Sequence, residues 1–321
     1  MNSANFRNTA LTTLIFAFAL IAVRNTHADV GEKSGQVKIQ KKANNLHITI
    51  DGQPFFTYQY NTDQPELPRP VIHPLHGPEG QVITQMGEVA GKRVAHFHHT
   101  GLWISHQNFT QGNNWQMDAD PNKKPRRRSR LLHRSFARMN SGKVAQFVEH
   151  LQWDSIDGKT ILLDETRTVT IPHRPANRRV IDFEIVLRAK QQAITLQRTP
   201  YQILAVRALN SMVPRFNKKA VITNSNGQKN PKTGVLAKWI DVTGEVNGKT
   251  VGIALFNHPE NLRHPTPCLS FAKQTIGLSP THLESYTLEP GKELHLRFRV
   301  LVHAGNVAEA KVAGEYADYV K

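Results

Sequence analysis

Apolar and polar residues alternate with a period of two along much of this chain, and that constrains its fold more than any other feature. Ile181, Phe183, Ile185 and Leu187 alternate with Asp182, Glu184 and Arg188. Leu294, Leu296, Phe298, Val300 and Val302 alternate with His295, Arg297, Arg299 and His303. Ala145, Phe147, Leu151 and Trp153 do so around Glu149, and residues 163–171 and 193–197 also read as strands. Such alternation turns one face of a strand to a core and the other to water. Asp51-Gly52, Asp157-Gly158, Asn226-Gly227, Asn247-Gly248 and Pro290-Gly291 separate the runs and supply the positive φ that hairpins need. One helix is expected, over residues 307–320, with Asn306 as its N-cap. There is no internal repeat. The fold class is all-β: a large antiparallel β-sandwich with a short C-terminal helix.

The first 28 residues read as a segment outside that fold. Arg7 precedes an apolar run over residues 11–23, and Thr26-His27-Ala28 places small residues before a cleavage point. This is the grammar of a secretory signal peptide, and the run is shorter than the roughly 20 residues that span a bilayer. The expectation is a single domain over residues 29–321, periplasmic or secreted, with no membrane span. Cys268 is the chain's one cysteine, so no intramolecular disulfide forms and stability rests on the core. The formal charge is +16, or +14 once Arg7 and Arg24 are removed with the signal. Much of the excess sits in Lys123, Lys124, Arg126, Arg127, Arg128 and Arg130. A solvated loop is the first reading of this run, and an anionic surface or glycan the second. Export and the lack of interleaved aromatics argue against a nucleic-acid partner. Gly244 to Thr250 imitates a phosphate-binding loop but is one residue short, and Thr250 opens a strand; it reads as a hairpin turn.

Chemistry concentrates in Ala95-His96-Phe97-His98-His99-Thr100-Gly101-Leu102-Trp103-Ile104-Ser105-His106. Imidazole ligates metals, exchanges protons near neutral pH and hydrogen-bonds from either nitrogen. His96 and His98, two apart, share a face if they lie on a strand. A metal site would need a third ligand, with His73, His76 and His106 nearby in sequence. Without metal, the histidines would bind a ligand or act as acid and base, and a purely structural role also stays open. Trp103 and Trp115 flank the stretch and suit either a sugar's C–H face or the core. Glu165 and Arg167 share one strand face: inward they must pair, outward they are an ordinary exposed pair. Asn257-His258-Pro259 and Arg263-His264-Pro265 follow a strand, and Arg263 suits an anionic group.

Together these stretches resemble the DUF6807 family, often labelled "methane oxygenase PmoA". The resemblance covers residues 69–303. It rests on Arg69-Pro70-Val71-Ile72-His73-Pro74-Leu75-His76-Gly77-Pro78, on the histidine stretch ending Gly101-Leu102-Trp103, and on Leu163-Asp164-Glu165-Thr166-Arg167. It continues through Ala237-Lys238-Trp239-Ile240-Asp241, Asn257-His258-Pro259 with Arg263, and Val300 to Gly305. The family's histidine stretch usually reads D-H-P-H-H-R-G-L-W; here Ala95, Phe97 and Thr100 replace the Asp, Pro and Arg. A membrane methane monooxygenase needs several spanning helices, so the label does not suit this chain. The resemblance implies a β-sandwich of the galactose-mutarotase-like supersandwich type, a fold that hosts carbohydrate-active enzymes.

The leading expectation is a protein that acts on a carbohydrate or related polyhydroxylated compound through a histidine-rich cleft. His96, His98, His99, Glu165 and His258 are its catalytic candidates, and Trp103, Arg167, Trp239 and Arg263 its substrate-binding ones. The second reading is a divalent-metal enzyme with His96, His98 and one more histidine as ligands. The third is a non-catalytic glycan-binding module using Trp103 and Trp239.

Overall fold

A computed structural model describes residues 35–60, 67–89, 92–93, 96–116, 129–271 and 274–321. The signal-peptide reading, Ala95 and the basic residues 123–128 lie outside them.

Most of the strands assemble into two large sheets, with Ile194–Leu196 pairing Tyr286–Leu288 and Glu88–Val89 pairing Lys92–Arg93 apart from them. The first has nine, in the order Val37–Lys42, Asn45–Ile50, Gln53–Gln59, Val71–Leu75, Leu102–Ile104, Leu204–Arg207, Thr275–Leu278, Thr266–Phe271 and Val235–Ala237. The second has eight: Val221–Asn224, Trp239–Val246, Lys249–Asn257, Glu293–Ala304, Arg178–Ala189, Ile161–Pro172, Val144–Asp154 and Leu131–Asn140. Neighbouring strands in both sheets are antiparallel. The fold is the expected all-β sandwich.

The alternating runs are its long strands. Phe183 pairs with Phe298 and Ile185 with Leu296, side by side on one face. That face meets Ile72, Leu102, Ile104, Leu204 and Val206 of the other sheet in one continuous core. Each Leu, Ile, Val or Phe buried there contributes about 1.5–3 kcal/mol relative to exposure. The hairpin dipeptides act as read: Asp51 and Gly52, like Asn247 and Gly248, take positive φ between paired strands. The Asn247 turn joins Trp239–Val246 to Lys249–Asn257, so the phosphate-loop imitation is a hairpin.

The C-terminal helix is shorter than expected. It spans Val312–Tyr319, and its N-cap is Lys311 in the left-handed region. Asn306 does accept hydrogen bonds from the Ala308 and Glu309 amides. The turn it caps ends at Lys311, whose φ of +53° breaks the helical path. The helix sets Val312 and Tyr316 on Val180, Trp239, Ala254, Phe256 and Leu301, covering the outer face of the eight-stranded sheet.

The outer face of the nine-stranded sheet carries the histidines. Val71, Trp103 and Ala205 are register partners in one row and belong to a separate outer cluster with Trp115, while their strand neighbours belong to the core.

Candidate functional site

His96 and His98 do not lie on a strand. Residues 96–98 form a turn, closed by the His99 amide donating to the His96 carbonyl at 2.9 Å. His96 sits at φ +56°, uncommon for a residue with a side chain. The turn folds the chain back so that the His96 ring stacks on His99, 5.3 Å between centroids and 11° between planes. The His98 ring meets His99 edge-on at 4.4 Å. One ligand atom from each of His96, His98 and His99 then lies within 4.8 Å of the others. His99 is the third member of this group. The other histidines considered for that place have partners elsewhere: His73 bonds Thr84 Oγ1, His76 the Gly80 carbonyl and His106 Thr281 Oγ1.

Two buried arginines shape the turn through its carbonyls. Arg207 Nη1 donates to His96 O at 2.8 Å and His99 O at 3.1 Å. Arg69 Nη2 donates to His98 O at 2.6 Å, and its Nη1 to Trp115 O at 2.7 Å and Asn114 O at 3.1 Å. Thr100, where the family's motif has Arg, is buried and accepts a weak bond from Arg69. Gly101 at φ +56° leads from the turn into the strand, where a Cβ would run into Ile72 O. Arg207 follows Ala205 by two on its strand and so shares the outer face; Arg69 precedes Val71 by two.

Below the histidines lies an aromatic floor. His99, fully buried, stacks on Trp103 at 5.7 Å and meets Trp115 edge-on at 5.9 Å. Trp103 and Trp115 lie 5.3 Å apart, and Trp115 stacks on Tyr201 at 5.3 Å. The Arg69 guanidinium lies 5.3 Å over the Trp103 ring. Burial, then the positive neighbours His98, Arg207, His96 and Arg69, push the His99 pKa well below its usual value. Burial, Arg215 and Arg207 lower that of His96. Burial alone brings Arg69 down to about 9 and Arg207 to about 10.

The other expected site residues lie elsewhere. Glu165 and Arg167 face inward and pair: Arg167 Nε donates to Glu165 Oε1 at 2.7 Å, and Nη2 lies 2.6 Å from the same oxygen. Trp153 Nε1 donates to Glu165 Oε2 at 2.7 Å. Arg167 Nη1 donates to the Tyr58 hydroxyl, which donates to Glu149, whose other oxygen bonds His133 at 2.6 Å. This network lies between the sheets, so the nine-stranded sheet separates Glu165 from the histidines. The expected cleft joining them does not form, because Glu165 is already committed to Arg167 and Trp153.

His258 packs edge-on against Tyr319 at 5.3 Å, beside the C-terminal helix. Arg263 donates to the carbonyls of Pro280, Glu284 and Ser285 at 2.7–2.8 Å and pairs with Glu284. It is a clamp on that loop, not a wall of the histidine site. Trp239 is buried beneath the helix, on the opposite side of the sandwich from Trp103. The two tryptophans therefore cannot form one glycan surface.

Two of the sequence stretches meet in a second histidine setting. His303 Nε2 lies 2.9 Å from Asp241 Oδ2, and Thr243 Oγ1 donates to Asp241 Oδ1 at 2.6 Å, with His303 and Asp241 fully buried. Thr243 bonds the acid and not the imidazole, so this is not a nucleophile–base arrangement. Arg69, Arg207, Asn114 and Tyr201 are site residues that the sequence alone does not single out. Arg69 and Arg207 carry one signal, charge beside apolar strand residues.

An outward histidine turn on an all-β sandwich is thus the class of site and fold in hand. A model of DUF6807, a family of unknown function, matches residues 45–317, and the chain belongs to that family. No curated protein matches. Among solved structures the chain is similar to one described as "Putative kojibiose phosphorylase from human microbiome", at 9% identity and a TM-score of 0.31. The match covers 59% of this chain and 23% of that one, and is too slight to bear on fold or function. Among the described residues no helix is long and apolar enough to cross a membrane.

Proposed function

We propose that this protein is a metal-dependent enzyme that acts on a carbohydrate or related polyhydroxylated compound. His96, His98 and His99 hold a divalent first-row ion. The observation that carries this reading is the approach of their three ligand atoms to within 4.8 Å. Lowered pKa values favour neutral rings at His96 and His99, the form that binds metal. Three imidazoles leave a coordination position open to water or a substrate oxygen, as in catalytic and not structural zinc sites. Metal-free acid–base catalysis has less support, because its proposed carboxylate, Glu165, belongs to the network between the sheets. Export through residues 1–28 is part of the same proposal, and N-terminal sequencing of the mature protein tests it.

Metal analysis and cobalt titration of the purified protein test the centre. One equivalent of metal is expected, with visible absorption from cobalt bound to nitrogen ligands. His98→Ala should weaken binding by more than the about 10–100-fold that loss of an outer-shell partner costs. Its stability should stay within about 1 kcal/mol, since His98 is only half-buried. Wild-type protein that takes up no metal, or a variant that binds it equally well, overturns the reading.

A further inference from the structure

The floor under the histidines holds four hydrogen-bond donor atoms that lack acceptors among the described residues. Trp103 Nε1, Trp115 Nε1, Arg69 Nε and Asn114 Nδ2 are all buried, and no acceptor there reaches them. Buried indole N–H groups ordinarily find a partner. Trp153 in this same molecule does so, donating to Glu165 at 2.7 Å. The four donors belong to one locality. The two indoles are 5.3 Å apart, Arg69 lies over one of them, and Arg69 bonds the carbonyls of Trp115 and Asn114. Among the described residues no carboxylate forms an ion pair with Arg69.

We propose that this floor binds the carboxylate of a 2-hydroxy or 2-oxo acid, with sugar acids as the polyhydroxylated members of that class. A carboxylate only accepts hydrogen bonds, whereas a sugar hydroxyl also donates and would need an acceptor that these four groups do not provide. Its charge also balances the buried guanidinium, and charge-assisted bonds to N–H are the stronger kind. His99 packs against both indoles, 5.7 and 5.9 Å away between centroids. An acid held on the floor therefore brings its adjacent hydroxyl or carbonyl oxygen towards the metal. The last step rests on the proposed metal centre; the carboxylate site does not.

The test is a titration of tryptophan-labelled protein, followed by the indole N–H resonances, with gluconate and with glucose as its neutral counterpart. Trp103→Phe and Trp115→Phe assign the two floor signals, and the Trp153 signal serves as an internal control. Gluconate should shift both floor resonances saturably at millimolar concentration, leaving Trp153 in place, and glucose should not. Trp115→Phe should weaken gluconate binding about tenfold, the scale of one hydrogen bond to a charged group. If gluconate moves neither floor signal, or glucose moves them equally, the proposal is overturned. Where a floor variant does not fold, Trp153→Phe and Trp239→Phe assign the remaining two signals by elimination, and the wild-type titration then decides. Repeating it without metal separates the two readings. Gluconate shifts in a protein that binds no metal sustain the carboxylate site and sink the metal centre. Metal binding without gluconate shifts does the reverse.

Discussion

Two buried polar clusters lie on opposite sides of the nine-stranded sheet, and they differ in how their groups are satisfied. On the inner side Arg167 meets Glu165, Trp153 meets Glu165, and Tyr58 meets Glu149. Each charge there has an opposite charge from the chain itself; Arg167 Nη2, which forms no well-directed hydrogen bond, still lies 2.6 Å from Glu165 Oε1. On the outer side Arg69 and Arg207 direct donors to backbone carbonyls, and among the described residues two indoles, Arg69 Nε and Asn114 Nδ2 have no acceptor. Both clusters bury arginine and tryptophan. Only the inner one pairs its arginine with a carboxylate of the chain, and a buried guanidinium and indoles left without such partners mark a site prepared for something else.

The largest expected effect breaks the inner cluster. Arg167→Met leaves Glu165 and Glu149 buried without their guanidinium and should cost about 3–5 kcal/mol in denaturant unfolding, the scale for removing one member of a buried pair. A loss below about 1 kcal/mol would show that water reaches the network and that it is not closed. A finer test compares matched substitutions. Trp153→Phe and Trp115→Phe remove the same atoms, but only the first takes a donor from a buried carboxylate. Trp153→Phe should be the more destabilising by about 1–3 kcal/mol. Equal losses would mean that the Trp115 N–H is satisfied too, and the contrast between the clusters would fall.

The smallest effect is a slope with pH, on the far face of the eight-stranded sheet. Burial opposes charge on His303, but Asp241, through its charge and hydrogen bond, raises its pKa above 6.5. The sign follows: this pair's stabilisation is fully present below about pH 6.5 and fades as pH rises through the folded value. Asp241→Asn should flatten that alkaline decline in unfolding free energy. If the decline is unchanged, His303 is neutral in the folded protein, and this setting is not closed as the inner one is.

Strand positions are legible in the sequence because period two survives without knowledge of partners. Residues 181–187 and 294–302 fall within Arg178–Ala189 and Glu293–Ala304. The same rule puts Glu165 and Arg167 on one face but cannot say which, because that depends on Trp153 and Tyr58 lying opposite. His96 and His98 are recognisable as a pair, yet they sit on a turn and not on a strand. That turn is held by guanidiniums far away in sequence, Arg69 being 29 residues from His98 and Arg207 111 from His96, and local pattern marks them only as charges beside apolar strand residues. The donor floor is least legible of all. Trp103, Trp115 and Arg69 each have an ordinary structural explanation alone, and only the two indole Nε1 atoms and Arg69 Nε, left without acceptors among the described residues, mark them.

Gly87 offers a way to reach this site without altering any residue of it. A Cβ built there would overlap the Phe97 carbonyl, so the histidine turn occupies the space a side chain would fill. Gly87→Ala is then a wedge: it leaves all three imidazoles chemically intact and pushes the turn that presents them. The alignment of the turn is recorded in a residue with no chemistry of its own, and chemical conservation of the histidines alone would not preserve it.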